Sequence, residues 1–154
     1  YKRQGYRLNV VDAACGSRFY NFEKTKDGGT TWTEVNGDPF DQNMGVAEGL
    51  LFFTNDFGFA GLTYASEDFS MLYVTKDGGE TFERLELPLD TVTELPSEAE
   101  ELGFTIEDYD YHTMPQIVDG KMEIYLQTDA MEQQGIIFQS EDNGVTWEYA
   151  GCKE

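Results

Sequence analysis

An eight-residue pattern occurs three times in this chain without a gap. The copies are Thr25-Lys26-Asp27-Gly28-Gly29-Thr30-Thr31-Trp32, Thr75-Lys76-Asp77-Gly78-Gly79-Glu80-Thr81-Phe82 and Ser140-Glu141-Asp142-Asn143-Gly144-Val145-Thr146-Trp147. Each reads Ser or Thr, any residue, Asp, any residue, Gly, any residue, Thr, then Trp or Phe. Chance does not place five specified positions three times in 154 residues, so the chain is built from repeats. The three aspartates stand 50 and 65 residues apart, the scale of a propeller blade or a similar supersecondary unit.

The pattern reads as a hairpin turn. An alternating apolar run precedes each copy, over residues 19–24, 71–74 and 136–139, and a second short strand pattern follows over 32–35, 82–87 and 147–149. Between strands, Asp accepts N–H bonds within the turn and Gly29, Gly79 or Gly144 supplies positive φ without steric cost. The closing Trp32, Phe82 or Trp147 covers the turn with its ring. Asp27, Asp77 and Asp142 are therefore read as turn clamps rather than as catalytic acids or metal ligands. The other specified positions, Thr25, Thr31, Thr75, Thr81, Ser140 and Thr146, belong to the same structural set.

These segments resemble Asp boxes, the BNR repeats of sialidases and of many other β-propeller proteins. The resemblance implies an all-β fold of four-stranded antiparallel blades, a partial or half β-propeller. Each box would join the third and fourth strands of a blade, on the face away from an active site. It spans the chain as three consecutive blades: an incomplete first over about residues 5–36, a second over about 48–88 and a third over about 111–151. On activity it is nearly silent, because the same box occurs in proteins of many functions.

In the second blade, residues 50–54 read as the innermost strand, 55–58 as a turn, and 59–65, 70–75 and 82–87 as the strands that follow. In the third, 114–118 and 121–128 pair through an Asp119-Gly120 turn, and 135–139 and 146–150 flank the box. The first holds 6–11, 18–24 and 31–35 and lacks an innermost strand, leaving an edge of the kind that proteins cover. Upstream sequence would supply the strand if the chain is a piece of a longer exported protein. A second copy would supply it in a homodimer whose two sets of three blades close a ring of six. One short helix over about residues 96–104 absorbs the longer spacing before the third box, with Ser97 and Glu100 as capping box and Gly103 as stop.

Thirty acidic residues against ten basic ones leave a formal charge of −20. Such a surface repels phosphate backbones, so no nucleic-acid partner is expected. No run reaches the roughly 18 apolar residues of a membrane span. A content of 40% hydrophobic and 14% aromatic residues exceeds that of a disordered acidic tail, so the chain folds. Cys15 and Cys152 leave a disulfide and two free thiols as open alternatives. With His112 the single histidine, no CxxC pair and no EF-hand spacing, neither a metal nor a cofactor is expected.

A sialidase would need an arginine triad to grip a sugar carboxylate. The arginines are Arg3, Arg7, Arg18 and Arg84, and the pattern nearest to the family's Arg-Ile-Pro signature, His112-Thr113-Met114-Pro115, lacks the arginine. No catalytic residue is assigned, and Asp56, Glu67, Asp68, Asp108 and Asp110 read as a solvated acidic surface rather than as a glycosidase pair. Aromatic rings among carboxylates suit a sugar or a peptide. The ligand-binding candidates are Phe57, then Asp108, Tyr109, Tyr111 and His112 at the entry to the third blade, with the two tyrosines as a surface pair. The expected function is a non-catalytic recognition or scaffold module, extracellular or in the cell envelope, that binds protein or glycan. The alternative is a sialidase-like glycoside hydrolase fragment whose catalytic residues lie partly outside this chain.

Overall fold

The computed structural model describes residues 3–66 and 68–154. They are mostly β, in three open antiparallel sheets with one short α-helix. Two compact units result: the described residues up to Ala65 with Leu72–Leu85, and those of Ser66–Met71 with Glu86–Glu154.

The first sheet carries β1 (Gly5–Ala14), β2 (Ser17–Thr25) and β3 (Thr33–Asn36) in that order. Cys15 and Gly16, at φ of 50° and 83°, form the two-residue turn between β1 and β2, both left-handed as such a hairpin requires. On β2, Tyr20, Asn21 and Phe22 are buried in succession, so both faces of the strand are covered there.

The second sheet carries β4 (Val46–Phe52), β5 (Gly58–Thr63), β6 (Ser70–Thr75) and β7 (Glu83–Arg84) in sequence order. Every residue of β5 is buried, as befits a central strand. The strand expected over 50–54 is found as β4, which starts and ends earlier. The reason is that Phe53 and Thr54 already give their N–H groups to the Phe57 carbonyl (3.0 and 3.3 Å), which assigns them to the turn. The expected 82–87 strand contracts to β7, extended by one bond from Leu85 N–H to the Leu72 carbonyl.

In the third sheet β8 (Tyr111–His112) and β9 (Gln116–Val118) both pair with β10 (Lys121–Gln127), which is followed by β11 (Gly135–Ser140) and β12 (Glu148–Lys153). The strand expected over 114–118 shortens to β9, and β8 precedes it with a one-residue register shift between the two on β10. Pro115 has no N–H to offer the ladder. Thr113 bridges the break instead, donating its N–H to the Tyr125 carbonyl and accepting the Tyr125 N–H on Oγ1, both at 3.0 Å. The Asp119-Gly120 turn forms as expected, with both φ values positive.

The inserted helix is α1 (Glu98–Leu102), stopped by Gly103 at φ 73°. Its expected capping box does not form, because a cap needs extended backbone and Ser97 is already helical at φ −57°, ψ −30°. The Ser97 N–H and hydroxyl donate instead to the Glu154 carboxylate, the hydroxyl at 2.6 Å. A capping box is present further on, where Thr105 and Asp108 bracket a short 3-10 turn, Ile106–Asp108. Of the two alternatives for the cysteines, the free thiols are found: Cys15 is exposed in its turn, and Cys152 on β12 donates to the Glu94 carbonyl. No helix among the described residues is long and apolar enough to cross a membrane.

Candidate functional site

The three repeats fold into the same clamp. Thr25 Oγ1 donates to Asp27 Oδ1 at 2.7 Å and accepts the Gly29 N–H at 2.9 Å. Asp27 then accepts the Thr31 N–H at 2.8 Å and the Thr31 hydroxyl at 2.6 Å. Thr75, Asp77, Gly79 and Thr81 repeat all four bonds, and so do Ser140, Asp142, Gly144 and Thr146. The residue after each Asp is left-handed as well: Gly28, Gly78 and Asn143 have φ of 72°, 74° and 59°. Glycine takes that conformation freely, and Asn is among the few other residues that tolerate it. Trp147 is buried and donates Nε1–H to the Gly144 carbonyl at 3.2 Å, whereas Trp32 is half-buried with the Arg7 guanidinium 4.2 Å from its centre.

The Thr31 hydroxyl and N–H, then the Thr25 hydroxyl, hold the Asp27 carboxyl down to about 2. Thr146 and Ser140 do the same to Asp142, also to about 2. For Asp77, burial pushes upward, but the bonds from Thr81 and Thr75 outweigh it and the carboxyl is again lowered. Groups held charged by so many donors serve as turn fasteners, not as proton donors near neutrality. Because their folded pKa is depressed, their stabilisation is complete above the ordinary carboxylate range near 3.8 and is lost as pH falls toward about 2. Carboxyl-carbon NMR titration should therefore show Asp27 and Asp142 with midpoints near 2, and Thr31→Val should raise the midpoint of Asp27 alone.

Within the second clamp the buried hydroxyl outweighs the exposed carboxylate. Thr75 is 1% exposed and its Oγ1 is the acceptor for the buried Gly79 N–H. Thr75→Val keeps the shape and orphans that donor, at an expected cost of about 1–3 kcal/mol in urea denaturation. Asp77→Ala, where water replaces the exposed carboxylate, should cost about 1 kcal/mol or less. The reverse order would assign the clamp's strength to the charge.

The surface pair expected of Tyr109 and Tyr111 is not on the surface: they are 1% and 8% exposed. Tyr109 closes the 3-10 turn over Ile106–Asp108 and Tyr111 opens β8, and both rings are taken into the interior. The Tyr109 hydroxyl donates to Glu98 Oε1 at 3.0 Å, and its ring meets Phe104 edge-on. Asp108 is taken up by the Thr105 N–H at 2.7 Å. His112 Nδ1 faces two backbone carbonyls, those of Ser70 at 3.1 Å and Asp110 at 3.2 Å, which accept from it when it carries the ring proton. The buried Ser70 hydroxyl accepts the His112 N–H and donates to the His112 carbonyl, which ties β6 to β8. Phe57 belongs to the other compact unit, where its ring packs on Phe59 and Phe53. Asp56 gives its carbonyl to the Gly78 N–H, Asp68 accepts the Ser66 hydroxyl, and Glu67 lies outside the described residues. Of the four candidates in the second unit, Tyr109 and Tyr111 are thus part of its interior.

Two features escape the sequence. Glu98, at the start of α1, faces Glu132 from the loop before β11. Burial raises the Glu98 carboxyl, while the N–H groups of Gln134 and Gln133 lower that of Glu132, so the pair's first proton goes to Glu98. The second is a groove of about 500 Å³ in the same unit, lined by Leu89, Val92, Leu95, Phe104 and Ile106 together with Asp90 and Glu94. Its segment is pinned where the Glu94 carbonyl accepts from Tyr149 Oη (3.2 Å) and Cys152 Sγ (3.3 Å), and where the Thr91 hydroxyl donates to the Pro88 carbonyl (2.6 Å). Only a composition of alternating apolar and acidic residues over 85–107 hints at it in the sequence. No family model matches the chain, and no curated protein matches it either.

Proposed function

We propose that the chain is an array of Asp-box blades of the sialidase-like β-propeller type, serving as a non-catalytic recognition or scaffold module. Its place is outside the cell or in the cell envelope, and its ligand is a protein or a glycan. One observation carries this reading: the repeated carboxylates are consumed in turns, while the groove over 89–106 keeps apolar and acidic side chains facing water on a hydrogen-bonded frame. A pinned groove loses little freedom on binding, which favours recognition. The first sheet ends on β1 with no further strand paired to it among the described residues. A second copy closing that edge in a homodimer would double the mass read by light scattering.

Glycoside hydrolysis would need two carboxylates about 5 Å or more apart across a cleft, whereas Glu98 and Glu132 face each other closely enough to share a proton. The deciding experiment incubates the full chain with a panel of chromogenic glycosides and passes it over immobilised glycans and peptides. Retention without turnover is expected. Turnover that Glu98→Gln or Glu132→Gln abolishes, with the fold intact, would replace recognition by catalysis.

A further inference from the structure

From the groove's chemistry we infer its partner: a Lys/Arg-bearing polypeptide segment that seats apolar side chains on Leu89, Val92 and Ile106. The inference rests on the recognition reading above and names its ligand. Between Arg84 and Lys121 the chain has ten acidic residues and no Lys or Arg. The unit that holds the groove carries 19 acids against Lys121 and Lys153 alone, a net −17 of the chain's −20. Charge is thus concentrated in the unit that holds the apolar depression, and two of its carboxylates line that depression. Leu89 is 44% exposed there, with the carboxylates of Asp90 and Glu94 exposed beside it.

Each half of the occupant follows from one half of the site. Leu89, Val92, Leu95, Phe104 and Ile106 reward burial of an apolar side chain. Asp90 and Glu94 line the same groove, and Glu107 stands next to Ile106, so cations are favoured where the segment leaves it. Nucleic acid and anionic lipid bring the wrong sign. The same groove of a second copy would set −17 against −17. A neutral glycan leaves the charge without a counterpart. The hydrogen bonds to the Glu94 carbonyl and the Thr105–Asp108 capping box hold both sides of the groove before any partner arrives.

The test measures fluorescence anisotropy of labelled synthetic peptides with the intact chain at low and at physiological salt. One peptide carries Leu at every third or fourth position between lysines; a second replaces Leu by Ser, and a third replaces Lys by Glu. Binding of the Lys/Leu peptide alone, weaker in salt, is expected. Asp90→Lys combined with Glu94→Lys should weaken it by about tenfold or more, and Leu89→Ser by about tenfold. Glu80→Lys combined with Glu83→Lys changes the net charge equally in the other unit and should leave it within about twofold. Circular dichroism confirms that each variant is folded. Equal binding of the Lys/Ser peptide, or equal loss in both charge-reversed variants, would reduce the effect to overall charge and overturn the groove. No binding of any peptide overturns it too, and the recognition reading then stands or falls on retention by immobilised glycans and on glycoside turnover.

Discussion

Gly79→Ala is expected to be among the most damaging single substitutions in this protein, at about 2–5 kcal/mol. Two costs add. At φ 93° the backbone is left-handed, which costs an alanine about 1–2 kcal/mol. The new Cβ would also stand 2.9 Å from Cζ of the buried Phe22 ring and closer still to Cε2 and Cδ2. Overpacking of that kind costs about 1–3 kcal/mol. Against a domain stability of about 5–15 kcal/mol the loss is large. Gly28→Ala is the control, since it has φ 72° and nothing within 4 Å of its Cβ, and it should cost about 1–2 kcal/mol. Urea denaturation followed by tryptophan fluorescence measures both. Equal losses would mean that the Phe22 ring moves aside freely.

Phe22→Ala should cost about 3–5 kcal/mol. The ring is fully buried, stacked on Phe52 at 5.6 Å and Tyr6 at 6.3 Å and edge-on to Phe82 at 5.4 Å. The Lys24 ammonium lies 6.0 Å from its centre. Phe22 therefore joins the first strand pair, the second sheet and the second clamp inside one unit. Removing the ring also clears the space that the Cβ added by Gly79→Ala would invade. In the double variant, Gly79→Ala should cost only its backbone part, about 1–2 kcal/mol, and the two losses should fall short of additive. Strict additivity would place the strain of Gly79→Ala in the backbone alone.

The clamps were legible in the sequence because their chemistry is local. Thr25, Asp27, Gly29 and Thr31 meet within one turn, so spacing alone states who bonds to whom. The hairpin at Asp119-Gly120 and the stop at Gly103 were legible for the same reason. The Ser97 capping box was not, because its rival acceptor, Glu154, lies 57 residues away. The tyrosines of the 107–111 run misled because acidic neighbours mark a solvated segment, while tertiary packing, as of Tyr109 against Phe104, decides which side chains turn in.

Sequence by itself determined the repeat, the turns, the mainly β character and the sign of the surface charge, since each rests on contacts a few residues long or on composition. Only the tertiary structure decided which apolar side chains that charge lies beside. The groove brings 89–95 together with 104–106, and Glu98 meets Glu132 across more than thirty residues. Periodicity carries no record of such meetings, because they are fixed by which strands pair and which side chains the core takes in.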